Sequence, residues 1–155
     1  MKKHLVAAAL GGGVGGLLDI VYATVLWGMI LGSNPVAIPQ SVAGGLLGKA
    51  TFDGGWGTFF LGLALHFFIA FVMALVYVLA SRRIPALTQS PIIFGIIYGA
   101  LLFIVMNYIV VPLSAAGGRP LPHGMGFVRA LFPHVAFVGP AIALFAARAA
   151  RQPGA

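Results

Sequence analysis

Four stretches of this chain are apolar for long enough to cross a bilayer, and that limits the fold more than any other feature. They run over about 5–31, 57–80, 91–113 and 127–148. A spanning helix needs roughly 20 apolar residues. Four such helices joined by short loops use nearly all of the 155 residues. The expectation is one integral membrane domain over 1–155, an all-α four-helix transmembrane bundle with no soluble domain. Composition agrees, because the chain is 61% hydrophobic and 7% charged. A mean hydropathy of +1.06 lies far outside the range of ordinary soluble domains.

The net charge of +7 would point a soluble chain toward nucleic acid. Here the basic residues gather at helix ends, where they set orientation and meet anionic headgroups, so nucleic acid is excluded as a partner. Lys2, Lys3, Arg82, Arg83, Arg148 and Arg151 fall on one side, and Lys49, Arg119 and Arg129 on the other. The bias predicts that both termini are cytoplasmic and that the spans run up-down-up-down. The absence of cysteine excludes disulfides, thiolate metal sites, iron–sulfur clusters and covalently attached c-type haem. The Met1-Lys2-Lys3 start is like that of a signal peptide, but the apolar run continues through Asp19 to Leu31. It reads as an uncleaved first helix.

The first outer loop carries a short amphipathic helix. Val42, Ala43, Leu46, Leu47 and Ala50 recur at helical spacing, opposite Ser41, Gly44, Gly45, Gly48 and Lys49. It is too short to span, and it is expected to lie on the outer surface or cap the bundle; a re-entrant half-helix is the alternative. Gly54-Gly55-Trp56 then reads as a turn with an interfacial aromatic anchor. The second outer loop, Ser114 to Gly126, is an irregular Gly- and Pro-rich connection in which His123 is solvated.

Gly11, Gly12, Gly15 and Gly16 make two small-xxx-small steps on the first span, and Gly95 and Gly99 make another on the third. Such steps let helix backbones approach closely in lipid. The first span has glycine on more of its circumference than one neighbour requires, which predicts a further contact with a second copy or a partner protein. Pro133 and Pro140 interrupt the fourth span and free the carbonyls of Arg129 and Ala136.

Each span also carries one strongly polar residue: Asp19, His66, Asn107 and His134. All four lie about 14–16 residues from the cytoplasmic helix ends, or roughly 21–24 Å at 1.5 Å per residue. Ionisable groups at that depth must face the protein interior or a wet cavity. Helical spacing puts small or polar companions beside them: Gly62, Ala70 and Tyr77 with His66, and Ala130, Val138 and Ala141 with His134. One buried polar layer is the expectation.

Four uses of that layer stand open. It is an internal hydrogen-bonded set fixing helix register; a b-type haem site with His66 and His134 as axial ligands and Arg129 meeting a propionate; a divalent metal site of Asp19, His66 and His134; or a proton or small-solute pathway. No cofactor is assigned among these. Enzymatic chemistry is not expected, since no serine lies near a histidine with nucleophile-like spacing, neither carboxylate is paired with a second, and no phosphate loop is present.

LLDIVYATV, QSVAGGLLGKATFDGGW, LGLALHFFIAFVMALVY, SRRIP, GIIYGALLFIVMNYIVVPLSA and PHVAFVGPAIAL together resemble a group of small, uncharacterised bacterial inner-membrane proteins with four spans. The resemblance covers nearly the whole chain. It implies the topology and carries no activity, cofactor or substrate. The functional expectation is a non-enzymatic accessory or structural membrane component of the inner membrane, packing with itself or with a larger complex.

Overall fold

The structure, a computed structural model, describes residues 2–118 and 122–152. Arg119, counted above with the outer basic residues, lies outside them. Four helices are long and apolar enough to cross a membrane: α1 (Lys2–Ile30), α3 (Gly55–Ser81), α5 (Pro91–Leu113) and α6 (Met125–Arg151). Two short helices join them, α2 (Ala37–Leu47) between α1 and α3, and α4 (Ala86–Gln89) between α3 and α5. Lys3 Nζ donates to the Gln152 carbonyl at 3.1 Å, so both termini sit at one end of the bundle and α2 at the other.

Glycine decides how the spans pack. A β-carbon on Gly12 would stand 2.7 Å from the Ala70 carbonyl oxygen of α3, and one on Gly11 would stand 3.1 Å from Ile142 Cα of α6. Gly16 faces Ala70 in the same way, and Gly15 faces Val138. The two steps on α1 therefore serve two neighbours within the chain, α3 on one side and α6 on the other. The surplus of glycine that pointed to a second copy is accounted for internally. Gly99 lies hard against the His134 carbonyl, and Gly95 lies against Gly139 and Pro140, which seats α5 on α6. Van der Waals contact of this closeness is what holds helices together where lipid removes the hydrophobic drive.

These contacts arrange the spans in the order α3, α1, α6, α5, and the ring stays open between α5 and α3, which scarcely touch. Tyr98 bridges that opening toward the terminal end, its hydroxyl donating to the Met73 carbonyl at 2.7 Å and its ring 4.9 Å from that of Tyr77. The core of the terminal half is apolar and dense, built from Ala8, Ala74, Tyr77, Val78, Ile142 and Ala143 among others.

Three spans widen to π-helical turns, over Thr24–Ile30, Met106–Val110 and His134–Val138. The last two each end just before a proline, Pro112 and Pro140. A proline ring collides with the carbonyl four residues earlier, and a wider turn relieves that collision.

The amphipathic helix α2 packs through its polar and small residues, and the leucines at its C-terminal end stay outside the contact. Pro39, Gln40, Ala43 and Gly44 are buried, whereas Leu46 and Leu47 are exposed. At the bilayer boundary the small residues permit close contact with α3, where Gly62 meets the Pro39 carbonyl, and the leucines go to lipid. A polar latch fixes the contact. Gln40 Nε2 donates to the Gly55 carbonyl at 2.9 Å and to Thr58 Oγ1 at 3.1 Å. Fully buried Thr51 donates to the Gln40 carbonyl at 2.8 Å, and Thr58 donates to the Thr51 carbonyl at 2.6 Å. Helix α2 caps the bundle, and the exposed Trp56 stands beside Phe59 and Phe60 at the same end.

Candidate functional site

Asp19, His66, Asn107 and His134 line a single cavity of about 220 Å³, together with Gly16, Val42, Met106 and others. Each reaches it for a local reason. On α1, Asp19 follows one turn after the Gly12 and Gly16 contacts that draw the helix against α3. Because Gly16 has no side chain, its backbone lies within reach of α3, and His66 Nε2 bonds the Gly16 carbonyl at 2.8 Å. A carbonyl only accepts, so the ring proton sits on Nε2. The Asp19 carboxylate lies 4.0 Å from the same nitrogen, too far for a hydrogen bond.

The other two polar side chains are tied to the widened turns. Asn107 Nδ2 donates to the Phe103 carbonyl at 2.9 Å, one turn back along α5. His134 Nδ1 bonds the Ala130 carbonyl at 3.1 Å, while the His134 backbone N–H goes to Leu131 instead. Both thus bond a carbonyl four residues earlier, where the helix changes pitch. The Arg129 carbonyl, freed by Pro133, accepts the Tyr22 hydroxyl of α1 at 3.2 Å. That bond closes the α1–α6 side of the site. The neighbouring rings of Phe103 and His134 stand 5.6 Å apart, edge to face.

Toward the α2 end a second cavity of about 190 Å³ adjoins the first, lined by Ser41, Gly45 and Ser114 and sharing Val42, Ile69 and Met106 with it. Ala115 N–H donates to the Gly45 carbonyl at 3.0 Å, so the loop after α5 is fastened to α2 across this mouth. Spacing along the spans located the four polar residues but missed Val42, since nothing in an amphipathic loop helix shows that it walls a cavity inside the bundle.

The geometry bears unequally on the ligand sets considered from sequence. Arg129 is half-buried and does not line the cavity. The cavity's volume of about 220 Å³ is below the roughly 300 Å³ at which ligand pockets begin. Among the described residues no three His, Asp or Glu side chains form a metal-ligating group. Gly11, Gly12, Gly15, Gly16, Gly95 and Gly99 all stand at helix–helix contacts.

Four apolar spans that together line one polar cavity define the class, an all-α bundle with helices long and apolar enough for a bilayer. No family model matches the chain, and no curated protein or solved structure matches it.

Proposed function

We propose that this chain is a non-enzymatic protein of the bacterial inner membrane, with cytoplasmic termini, that binds a small solute group in the polar cavity of its outer half. One observation carries the reading. The polar side chains of all four spans line one cavity next to a second that leads toward the α2 end. Interhelical hydrogen bonds in lipid are worth about 0.6–2 kcal/mol, so a bundle packed this tightly by glycine gains little register from a carboxylate that no donor bonds among the described residues. A pathway through the whole membrane has less support, because among the described residues the ionisable groups in or against the core of the terminal half are Tyr77 and Tyr98.

The test uses the absence of cysteine, which makes any introduced thiol the only one. In oriented vesicles, Val42→Cys and Asn107→Cys are expected to react with a membrane-impermeant thiol reagent added at the α2 side. Ala74→Cys, in the dense core, is expected to stay unlabelled from both sides. Protection of Val42→Cys and Asn107→Cys from reagent on both sides refutes the reading.

A second reading, an accessory component of a larger membrane assembly, is favoured by the opening between α3 and α5. Only 17% of the hydropathic window of α3 and 22% of that of α5 are buried within the chain. Mass measurement after purification in a gentle detergent tests it; a bare monomer removes it.

A further inference from the structure

Resting on the outer-cavity reading, we infer that the ligand is an amphiphile: a primary ammonium head beside Asp19, carrying one apolar chain that lies between α3 and α5. The polar atoms left over in the cavity decide the head. His66 spends its proton on Gly16, His134 spends its proton on Ala130, and Asn107 spends one N–H on Phe103. A ring nitrogen without a proton is an acceptor, as are Asn107 Oδ1 and both oxygens of the Asp19 carboxylate, against the one remaining Asn107 N–H donor. Among the described residues no donor bonds that carboxylate, His66 being 4.0 Å away, and no Lys or Arg lines the cavity. A surplus of acceptors around one negative group in a low-dielectric span repels anions and matches a compact cation with several donors. A primary ammonium has three.

The wall of the cavity decides the tail. Ile69, Met73 and Met106 line both the polar cavity and a cleft of about 390 Å³ between α3 and α5. Phe68, Val72 and Val105 continue that cleft toward lipid, and its lining is almost wholly apolar. Only the apolar side chains of Ile69, Met73 and Met106 stand between the polar layer and the cleft, so an apolar chain reaches the bilayer past them without crossing a polar surface. The cleft's volume is within the ordinary range for ligand sites, whereas the polar cavity alone is below it.

Radiolabelled dodecylamine is the probe, with the full chain in phosphatidylcholine nanodiscs and empty nanodiscs subtracted. Saturable binding near one per protein is expected, weakened at least tenfold by Asp19→Asn. Val72→Trp fills the cleft without touching the polar layer, and it is expected to weaken dodecylamine while sparing ethylammonium. Competition by phosphatidylethanolamine supports the inference with a lipid headgroup as the source, and lack of competition supports it with a free alkylamine. If ethylammonium binds as tightly as dodecylamine and Val72→Trp changes nothing, the amphiphile is overturned while the outer cavity stands. If neither amine binds though Asn107→Cys is labelled from the α2 side, the ammonium head is overturned and the cavity again stands. If Val72→Trp leaves amine binding intact but converts a dimer to a monomer, a second copy fills the cleft and the inference fails.

Discussion

Substituting alanine at two adjacent glycines of α1 separates helix propensity from packing and reaches the site itself. Gly12 and Gly13 lie in the same regular turn, so replacing either by alanine gains the same roughly 0.5–1 kcal/mol of reduced chain entropy. Their surroundings differ. A β-carbon at Gly13 meets nothing within 4 Å, whereas one at Gly12 stands 2.7 Å from Ala70 O, 2.9 Å from Ala70 C and 3.0 Å from Phe71 Cα. All three atoms are backbone, so no rotamer change relieves the contact. Reaching ordinary contact at 3.4 Å requires α1 to move off α3 by about 0.7 Å, at an overpacking cost of about 1–3 kcal/mol. Gly16 is one turn along the same face, and the same displacement stretches the 2.8 Å His66–Gly16 bond to about 3.5 Å, beyond useful length. The expected result is that Gly12→Ala is less stable than Gly13→Ala by about 1–3 kcal/mol in reversible detergent unfolding. The ¹⁵N shift of His66 is expected to move in Gly12→Ala only. Equal stabilities for the two variants, with an unmoved His66 signal, refute the close α1–α3 approach.

Three further outcomes follow from the same contacts. Tyr22→Phe removes the donor to the Arg129 carbonyl and is expected to cost about 0.6–1.7 kcal/mol in unfolding measurements. In a Pro133→Ala background, where an amide again reaches that carbonyl, the cost is expected to fall toward zero; an undiminished cost contradicts the assignment. Thr51→Val removes the hydroxyl that bonds the Gln40 carbonyl, at about 0.5–1.5 kcal/mol, and loosens α2. Faster thiol labelling of Asn107→Cys from the α2 side in that variant is the check. Gly99→Ala sets a β-carbon against the His134 carbonyl and is expected to split α5 from α6, read as a loss of stability larger than that of Gly12→Ala.

Much of the bundle is legible in the sequence because lipid imposes simple rules. Span lengths follow from apolar runs, and the depth of Asp19, His66, Asn107 and His134 follows from counting helical rise. Glycine spacing marks the close contacts, but not whether the neighbour is in the same chain. Gly11/Gly15 and Gly12/Gly16 differ by only one position, about 100° around α1, and that rotation sends one pair to α6 and the other to α3. Helix α2 buries only part of the face its apolar residues mark, Ala43 but not the leucines. Leucine marks the buried side of a helix in water, whereas Leu46 and Leu47 lose nothing by facing hydrocarbon, and Gln40 is drawn inward by the carbonyl and hydroxyl it bonds. Pro133 and Pro140 were readable as interruptions. That Pro112 and Pro140 would each follow a widened turn, with Asn107 and His134 bonding carbonyls there, depends on how the chain relieves a steric collision. The opening between α3 and α5 has no local signature, because it results from which helices α1 and α6 hold together.

The convergence of the polar layer is tested most directly by one distance. With ¹⁵N in histidine rings and ¹³C in aspartate carboxyls, the four histidines and two acids leave few pairs to resolve in bilayers. His66 Nε2 lies 4.0 Å from Asp19 Oδ2, which places the carboxyl carbon within about 5 Å of that nitrogen. A dipolar contact of that length at His66, absent at His4 and His123, is the predicted result. A His66-to-Asp19 separation beyond about 8 Å, twice the 4.0 Å contact, contradicts it, and a cavity shared by the four spans would not exist.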